Sequence, residues 1–439
     1  MTVAERSMGL GLRALNRLAG SDMMDRLGVR QPAERVLYRA TRDGFKAAGR
    51  AGRTFQAGAR LGRPARPRRT GGAGLFDLTP SDEQQMLVEA WRDFASARLR
   101  PAAAAAEKCE GRAEVFAEAA ELGLTMIGVP EELGGAISER SAVTGVLAAE
   151  TLAHGDAGLA VGALAPAAVA TALALWGDAD QQATYLPALV GEDVPAAALA
   201  IAEARPLFDP SRLETVARRQ PGGGHVLDGV KVLVPRAMDA ELLLVAARVE
   251  GSAAPALFLV EPRAGGVTVK DDPAMGLRGA GLGKVRLEGV QVGPGALLGA
   301  ADPKVYAECV ARARLAWAGI AAGVGRAVLE YVIPYVNERV AFGEPVSHRQ
   351  AVAFTVSNIG IELEGLRLVA LRAAARADAE QDFAREAALA RQLAARHGMQ
   401  IGSDGVQLLG GAGYIAEHPV ERWYRDLRAT GLMEGVLVV

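Results

Sequence analysis

Near the end of this 439-residue chain, Gln407 opens the stretch QLLGGAGYIAEHPVERWYRDLRATGLMEGVLVV. Three glycines within four positions, Gly410, Gly411 and Gly413, let a backbone come very close to another group. Glu434 stands at the edge of an apolar run, GLMEG. Such a carboxylate is either solvated or a buried base, and a dry pocket would raise its proton affinity. The rest of the chain offers little other chemistry. Cys109 and Cys309 lie 200 positions apart, and the five histidines never fall at helical pair spacing. No metal site or disulfide framework is therefore expected, and a reducing cytoplasm is the expected location. A net charge of -2 gives no general argument for nucleic acid.

The elements that must position these residues change texture along the chain. Thr79-Pro80-Ser81-Asp82-Glu83 is a helix opening, with a cap and acids in the first turn. Apolar residues then recur three and four apart, which predicts an all-helical domain over 75–195. Short β-rich runs such as GHVLDGVKVLVPRA, APALFLVEP and GKVRLEGVQV, separated by Gly, Pro and Asp turns, predict a small antiparallel β domain over 196–302. From YAECVARARLAWAGIAAGVGRAVLEYVIPYV the helical period returns, and 303–439 reads as a four-helix bundle. The fold class is α+β, mainly α. No uninterrupted apolar stretch is expected to be long enough to span a membrane.

Residues 1–70 are set apart by charge. They hold 16 Lys and Arg against 5 Asp and Glu, a net of +11, so the remainder of the chain carries -13. MGLGLRALNRLAG reads as basic amphipathic helix and RLGRPARPRRTGG as a linker. Such an extension suits either an anionic membrane surface or a packing partner. A transit peptide is a further reading, whereas a secretory signal fits poorly because no apolar core follows the positive start.

The order helices, β domain, bundle, taken with several motifs, resembles the acyl-CoA dehydrogenase family over about residues 75–439. ELGLTMIGVPEELGG is similar to that family's Pro-Glu-Glu-x-Gly-Gly loop, and MGLRGAGLGKVRLEGVQV to its strand pair. ERVAFGEPVSHRQ resembles an Arg-x-x-Phe-Gly segment followed by Gln, here Arg339, Phe342, Gly343 and Gln350. The resemblance implies FAD as cofactor, an acyl-CoA substrate and an electron-accepting flavoprotein. It implies that Gln407, Gly410, Gly411 and Gly413 approach the adenine side of an FAD held mainly by a neighbouring subunit, with Arg339 on the pyrophosphate. Glycine backbone and a guanidinium fork suit phosphate oxygens physically. It places the catalytic base at Glu434 and a substrate-side arginine at Arg314, which would equally serve as a structural ion pair. The family's alternative base position is Ala313 here, which leaves Glu434 as the candidate.

The flavin-ring motifs depart from the family pattern. Ala202 stands where a hydroxyl residue is expected, Leu207 and Phe208 replace Gly and Ser, and Glu203 and Asp209 keep their places. Leu233 replaces a Trp and Pro235 another hydroxyl residue, and Gly435-Val436-Leu437-Val438 replaces Gly-Thr-x-Glu. Lost hydroxyls remove hydrogen bonds of about 1 kcal/mol each, and large residues in a space sized for Gly and Ser are expected to overpack it. The expected function is α,β-desaturation of an acyl-CoA thioester. One alternative is a weak or inactive subunit that completes a partner dehydrogenase's FAD site. Another is a scaffold that binds acyl-CoA or membrane without redox chemistry.

Overall fold

The computed structural model describes residues 78–439 except 136, 138, 139, 192 and 253. The basic extension expected at 1–70, with its membrane or partner contact, lies outside the described residues.

Six helices come first. In α1 (Asp82–Phe94) the Ser81 hydroxyl accepts from Gln84 N at 3.2 Å, and the Gln84 side chain accepts from Ser81 N at 3.0 Å. This reciprocal cap is the one that Thr79–Glu83 announces. A π-helical turn at Ala95–Leu99 leads into α2 (Arg100–Ala106), followed by α3 (Arg112–Glu121), α4 (Ala142–Gly155), α5 (Ala157–Trp176) and α6 (Ala179–Leu189). The expectation that no apolar stretch could span a membrane fails at α5. It is 20 residues long with a mean hydropathy of 1.9 in its most apolar window. That window is 89% buried by protein, so α5 is the core helix of this layer, apolar all round because every side of it is covered.

Eight strands form the middle sheet: β1 (Ala197–Ala200), β2 (Val216–Arg219), β3 (His225–Val234), β4 (Leu242–Val249), β5 (Pro255–Val260), β6 (Val267–Asp271), β7 (Gly283–Val292) and β8 (Leu297–Leu298). Their order is β6-β7-β3-β2-β4-β5-β8, with β1 on β4. The sheet is not wholly antiparallel, because β4 pairs in parallel with both β1 and β2. Buried β1 and β4, apolar on both faces, lie at its covered centre, while β7 alternates buried and exposed residues as a half-covered strand should.

The bundle consists of α7 (Pro303–Glu338), α8 (Gln350–Asp378), α9 (Ala384–Leu409) and α10 (Val420–Ala429). A short hairpin, β9 (Val340–Ala341) with β10 (Glu344–Pro345), joins α7 to α8. At 36 residues, α7 is about 54 Å long at 1.5 Å per residue. It packs on α4 as well as on its bundle partners.

The Arg425-Asp426 pair latches the three layers together. The Arg425 guanidinium pairs with Glu107 at 2.6 Å and Glu421 at 2.8 Å, and donates to Met275 O at 3.0 Å. Asp426 accepts from Leu277 N at 2.6 Å. It lies close to buried Asp156, which caps α5 through Leu159 N at 2.9 Å. Burial, then the charge of Asp156, pushes the Asp426 carboxyl up to about 7. A carboxyl raised in the fold is stabilising in its protonated form. That contribution is complete below the unfolded value near 4 and is lost as pH rises through 7. Asp426→Asn keeps an acceptor for Leu277 N and carries no charge. Its melting temperature relative to the parent is expected to rise by several degrees between pH 4 and pH 8, at about 2–4 °C per kcal/mol. Parallel melting curves at those pH values would remove this assignment.

Candidate active site

Glu434 is buried, 5% exposed, in the segment that leaves α10. Thr430 ends that helix by bonding its hydroxyl to Leu427 O at 2.8 Å, and Met433 N returns to Ala429 O at 2.9 Å. The turn delivers the carboxylate to α7 and α9. Arg314 on α7 donates to Glu434 Oε1 from Nε at 3.3 Å and from Nη2 at 3.1 Å. Arg391 on α9 brings its Nη2 to 3.5 Å from the same oxygen and donates through Nη1 to Thr430 O. Glu434 Oε2 is buried with no hydrogen-bond partner among the described residues. One oxygen is thus fixed by two guanidiniums, while the other holds a free lone pair in a dry site.

The structure pairs Arg314 with Glu434, so the arginine marked as substrate-side or structural makes an ion pair with the candidate base. Arg391 was not singled out by the sequence, because an arginine among the Ala-rich turns of ALARQLAARH looks like any solvated helix residue. Its side chain is 12% exposed against 3% for the carboxylate, and burial lowers its proton affinity against the pull of Glu434. Tyr306 and Cys309, also on α7, are buried close enough for the Glu434 charge to add to the burial that pushes both up. The Tyr306 hydroxyl donates to Pro210 O at 2.7 Å. Met433 and Val436 are buried beside Glu434, but Leu432 is 70% exposed and does not line the apolar surroundings expected for it.

A second set of expected residues forms an exposed edge at the far end of α7. Arg339 caps that helix, Phe342 is 94% exposed at a φ of 55°, Gln350 opens α8 and Gln407 is exposed on the last turn of α9. The Tyr335 hydroxyl donates to Leu409 O at 3.4 Å, which ties this end of α7 to the glycine turn. Among the described residues the Arg339 guanidinium has no ion pair. The glycines divide by role. Gly410 has a φ of +61°, and a Cβ on it or on Gly411 would meet nothing within 4 Å. A Cβ on Gly413 would lie 2.3 Å from Val406 O, so that glycine lets the turn close on α9 and does not face outward as expected. Arg314 and Arg339 are 25 residues apart on and just beyond α7, about 37 Å at 1.5 Å per residue.

The altered flavin-ring motifs lie at the ends of β1 and β3. Leu207 does not overpack the space that Gly and Ser would leave. It is 98% exposed, at a φ of 52°. Phe208 is half-buried, with the Arg205 guanidinium 5.8 Å from its ring centroid. Ala202 and Pro235 are buried and supply no hydroxyl, while Leu233 N donates to Asp272 Oδ2 at 2.9 Å. Asp209 closes a local turn on Ser211, at 3.0 Å to its N and 2.8 Å to its Oγ. Glu203 pairs with fully buried Lys231 at 2.8 Å and also accepts from Glu214 N, Thr215 N and Thr215 Oγ1. These two are occupied with one another rather than turned outward.

A helical layer, a central mixed sheet and a C-terminal bundle beside a buried carboxylate make up the architecture. The acyl-CoA dehydrogenase family models match in order: the N-terminal domain over residues 81–193, the middle domain over 198–290 and the C-terminal domain over 304–437. The chain is 30% identical over 370 residues to the human mitochondrial short-chain specific acyl-CoA dehydrogenase, covering 81% of this chain and 87% of that one. It is 28% identical over 372 residues to an acryloyl-CoA reductase (NADH) of Anaerotignum propionicum, with 82% and 93% covered. Among solved structures, butyryl-CoA dehydrogenase of Megasphaera elsdenii superimposes with a TM-score of 0.74 at 26% identity, covering 82% of this chain and 96% of that one. The protein belongs to the acyl-CoA dehydrogenase family. It is a flavoprotein oxidoreductase by descent, with FAD as its cofactor.

The residues present fit FAD unequally. The edge of Arg339, Gln407, Gly410 and Gly411 offers open backbone and an unpaired guanidinium, the donor set that diphosphate and adenine need. At the ring end, Ala202 and Pro235 lack the hydroxyl donors.

Proposed function

We propose that the protein oxidises an acyl-CoA thioester at its α and β carbons, with Glu434 as the base that removes the α-proton. The observation that carries this reading is Glu434 Oε2, buried and without a partner while Oε1 is held by Arg314 and Arg391. A tethered carboxylate with one free oxygen in a water-poor site is poised to accept a proton from carbon. The bound FAD supplies the hydride acceptor for the β-carbon. The similarity to the Acidaminococcus fermentans structure described as an electron transferring flavoprotein, with a TM-score of 0.75 at 26% identity, supports such a flavoprotein as the electron acceptor.

The distance of about 37 Å along α7 supports a second part of the proposal. The Arg339–Gly411 edge is too far from Arg314 and Glu434 to serve the same flavin, so it completes the site of another subunit. That subunit is either a second copy or a related dehydrogenase. The missing hydroxyls at Ala202 and Pro235 favour the related dehydrogenase as the chain that holds the more tightly bound flavin.

The test is the visible spectrum of the purified chain, alone and with FAD, before and after anaerobic addition of butyryl-CoA. Bleaching of a yellow protein is the expected result. A protein that stays colourless with FAD, alone and after co-expression with related dehydrogenases, would overturn the assignment. Gly411→Val sharpens it. A Cβ at this position meets nothing within 4 Å, so the melting temperature should change by less than about 1 °C while flavin per chain falls several-fold. Unchanged flavin content in that variant would remove the edge from the site.

A further inference from the structure

Beyond Glu434 the chain runs through residues 436–439, which form neither helix nor strand and are each no more than 2% exposed. Leu437 packs in the apolar cluster that holds Leu199 and Ile201 of the β1 region with Tyr306 and Cys309 of α7. Val436, Val438 and Val439 pack in the cluster built from α4, α5 and α7. The seat is shaped for backbone at two points. A Cβ on Gly145 of α4 would lie 1.8 Å from Val438 O. Gly435 has a φ of +96°, and a Cβ there would lie 2.6 Å from Leu199 O. The segment therefore lies in the protein interior directly beside the buried carboxylate.

Its polar atoms are poorly served. Among the described residues, no hydrogen bond is made by the backbone of residues 435–439. Buried N–H and C=O groups without partners oppose burial, while the four apolar side chains favour it. Segments that balance in this way are drawn from the weakly held part of a fold, and a ligand that replaces their apolar contacts displaces them.

We propose that residues 436–439 are an internal strap that occupies the volume beside Glu434 in the resting protein and must withdraw for an acyl thioester to reach Oε2. The inference rests on Glu434 being the base. An acyl chain would take over the contacts of Val436, Leu437 and Val438 with α4, α5 and α7, and the released peptide groups would regain water. The strap makes the site self-blocking, so acyl-CoA affinity is set partly by the energy of expelling it.

The native thiols supply a reporter. Cys109 is exposed, whereas Cys309 is fully buried in the same apolar cluster as Leu437. In a Cys109→Ser background, Cys309 should react slowly with a thiol reagent, and adding Val438→Asp, which places a charge in the apolar seat, should raise that rate at least tenfold. The same substitution should tighten butyryl-CoA binding about tenfold. A fast Cys309 reaction in the background protein would overturn the strap, as would Val438→Asp that exposes the thiol without tightening butyryl-CoA. Should Val438→Asp fail to fold, hydrogen exchange in the unsubstituted protein decides the matter. Amides of 435–439 should be protected at rest and exchange at least tenfold faster with saturating butyryl-CoA and FAD, and exchange unchanged by the ligand would overturn the proposal. These outcomes are separate from the role of Glu434. Flavin bleaching by the wild-type protein at the same rate as by Val438→Asp would sink the strap and leave the dehydrogenase intact.

Discussion

Glu434→Gln is expected to lower kcat by about 10²–10⁴-fold while leaving flavin content unchanged, the range that loss of a positioned general base produces. The substitution preserves shape. The Gln carbonyl can replace Oε1 as acceptor from Arg314 and Arg391, so the turn after α10 keeps its seat. What it removes is the free oxygen. An amide nitrogen takes the place of Oε2 and cannot accept a proton. A second effect is expected on stability, because Arg391 is mostly buried and loses its countercharge. The melting temperature should therefore fall, as it does when one member of a buried pair is neutralised. Single-turnover bleaching with butyryl-CoA separates the two effects, since it reads proton and hydride removal on the folded fraction alone. Bleaching at the parental rate would take the base away from Glu434. A loss of flavin in step with activity would make the residue structural.

The sequence displayed more of the bundle than of the β domain, for physical reasons. Arg339, Phe342, Gln407 and the glycine turn carry chemistry in residue types with fixed spacing, and the structure places them on one edge. Spacing alone does not distinguish a glycine that faces outward, such as Gly410 or Gly411, from one that faces its own helix, such as Gly413. The 2.3 Å approach to Val406 O does. Leu207 was expected to overpack because a large residue in a Gly position is read as filling space. A backbone with positive φ turns it into solvent instead. Arg391 was missed because its partner, Glu434, lies 43 residues further along the chain and only the turn after α10 brings them together. The failure at α5 is of another kind. Hydropathy measures what surrounds a helix, and lipid and a fully covering protein layer give the same answer.

The largest expected effect on stability is at the Glu203–Lys231 pair, two residues that keep the places the family resemblance gives them. Lys231→Met should lower the melting temperature by roughly 6–10 °C, since removing one partner of a buried pair costs about 3–5 kcal/mol. Lys231 is fully buried on β3, and burial pulls its ammonium down to about 8 even though Glu203 holds it charged. The carboxylate is the better served partner. Burial pushes Glu203 up, but Lys231 and the donors Glu214 N and Thr215 more than offset that, so its proton affinity ends below the ordinary value. With Met at 231 those remaining donors still satisfy its lone pairs, yet no cation neutralises it. Ile201 O also loses the bond it accepts from Lys231 Nζ at 3.1 Å. The double change Glu203→Gln with Lys231→Met removes both charges and keeps an acceptor for Thr215 N. It should recover about half of the loss, and the remainder measures packing and the Ile201 carbonyl. An unchanged melting temperature with diminished flavin would show instead that the pair acts on the cofactor. In that case the first turn after β1 would be a working part of the ring site despite its missing hydroxyls.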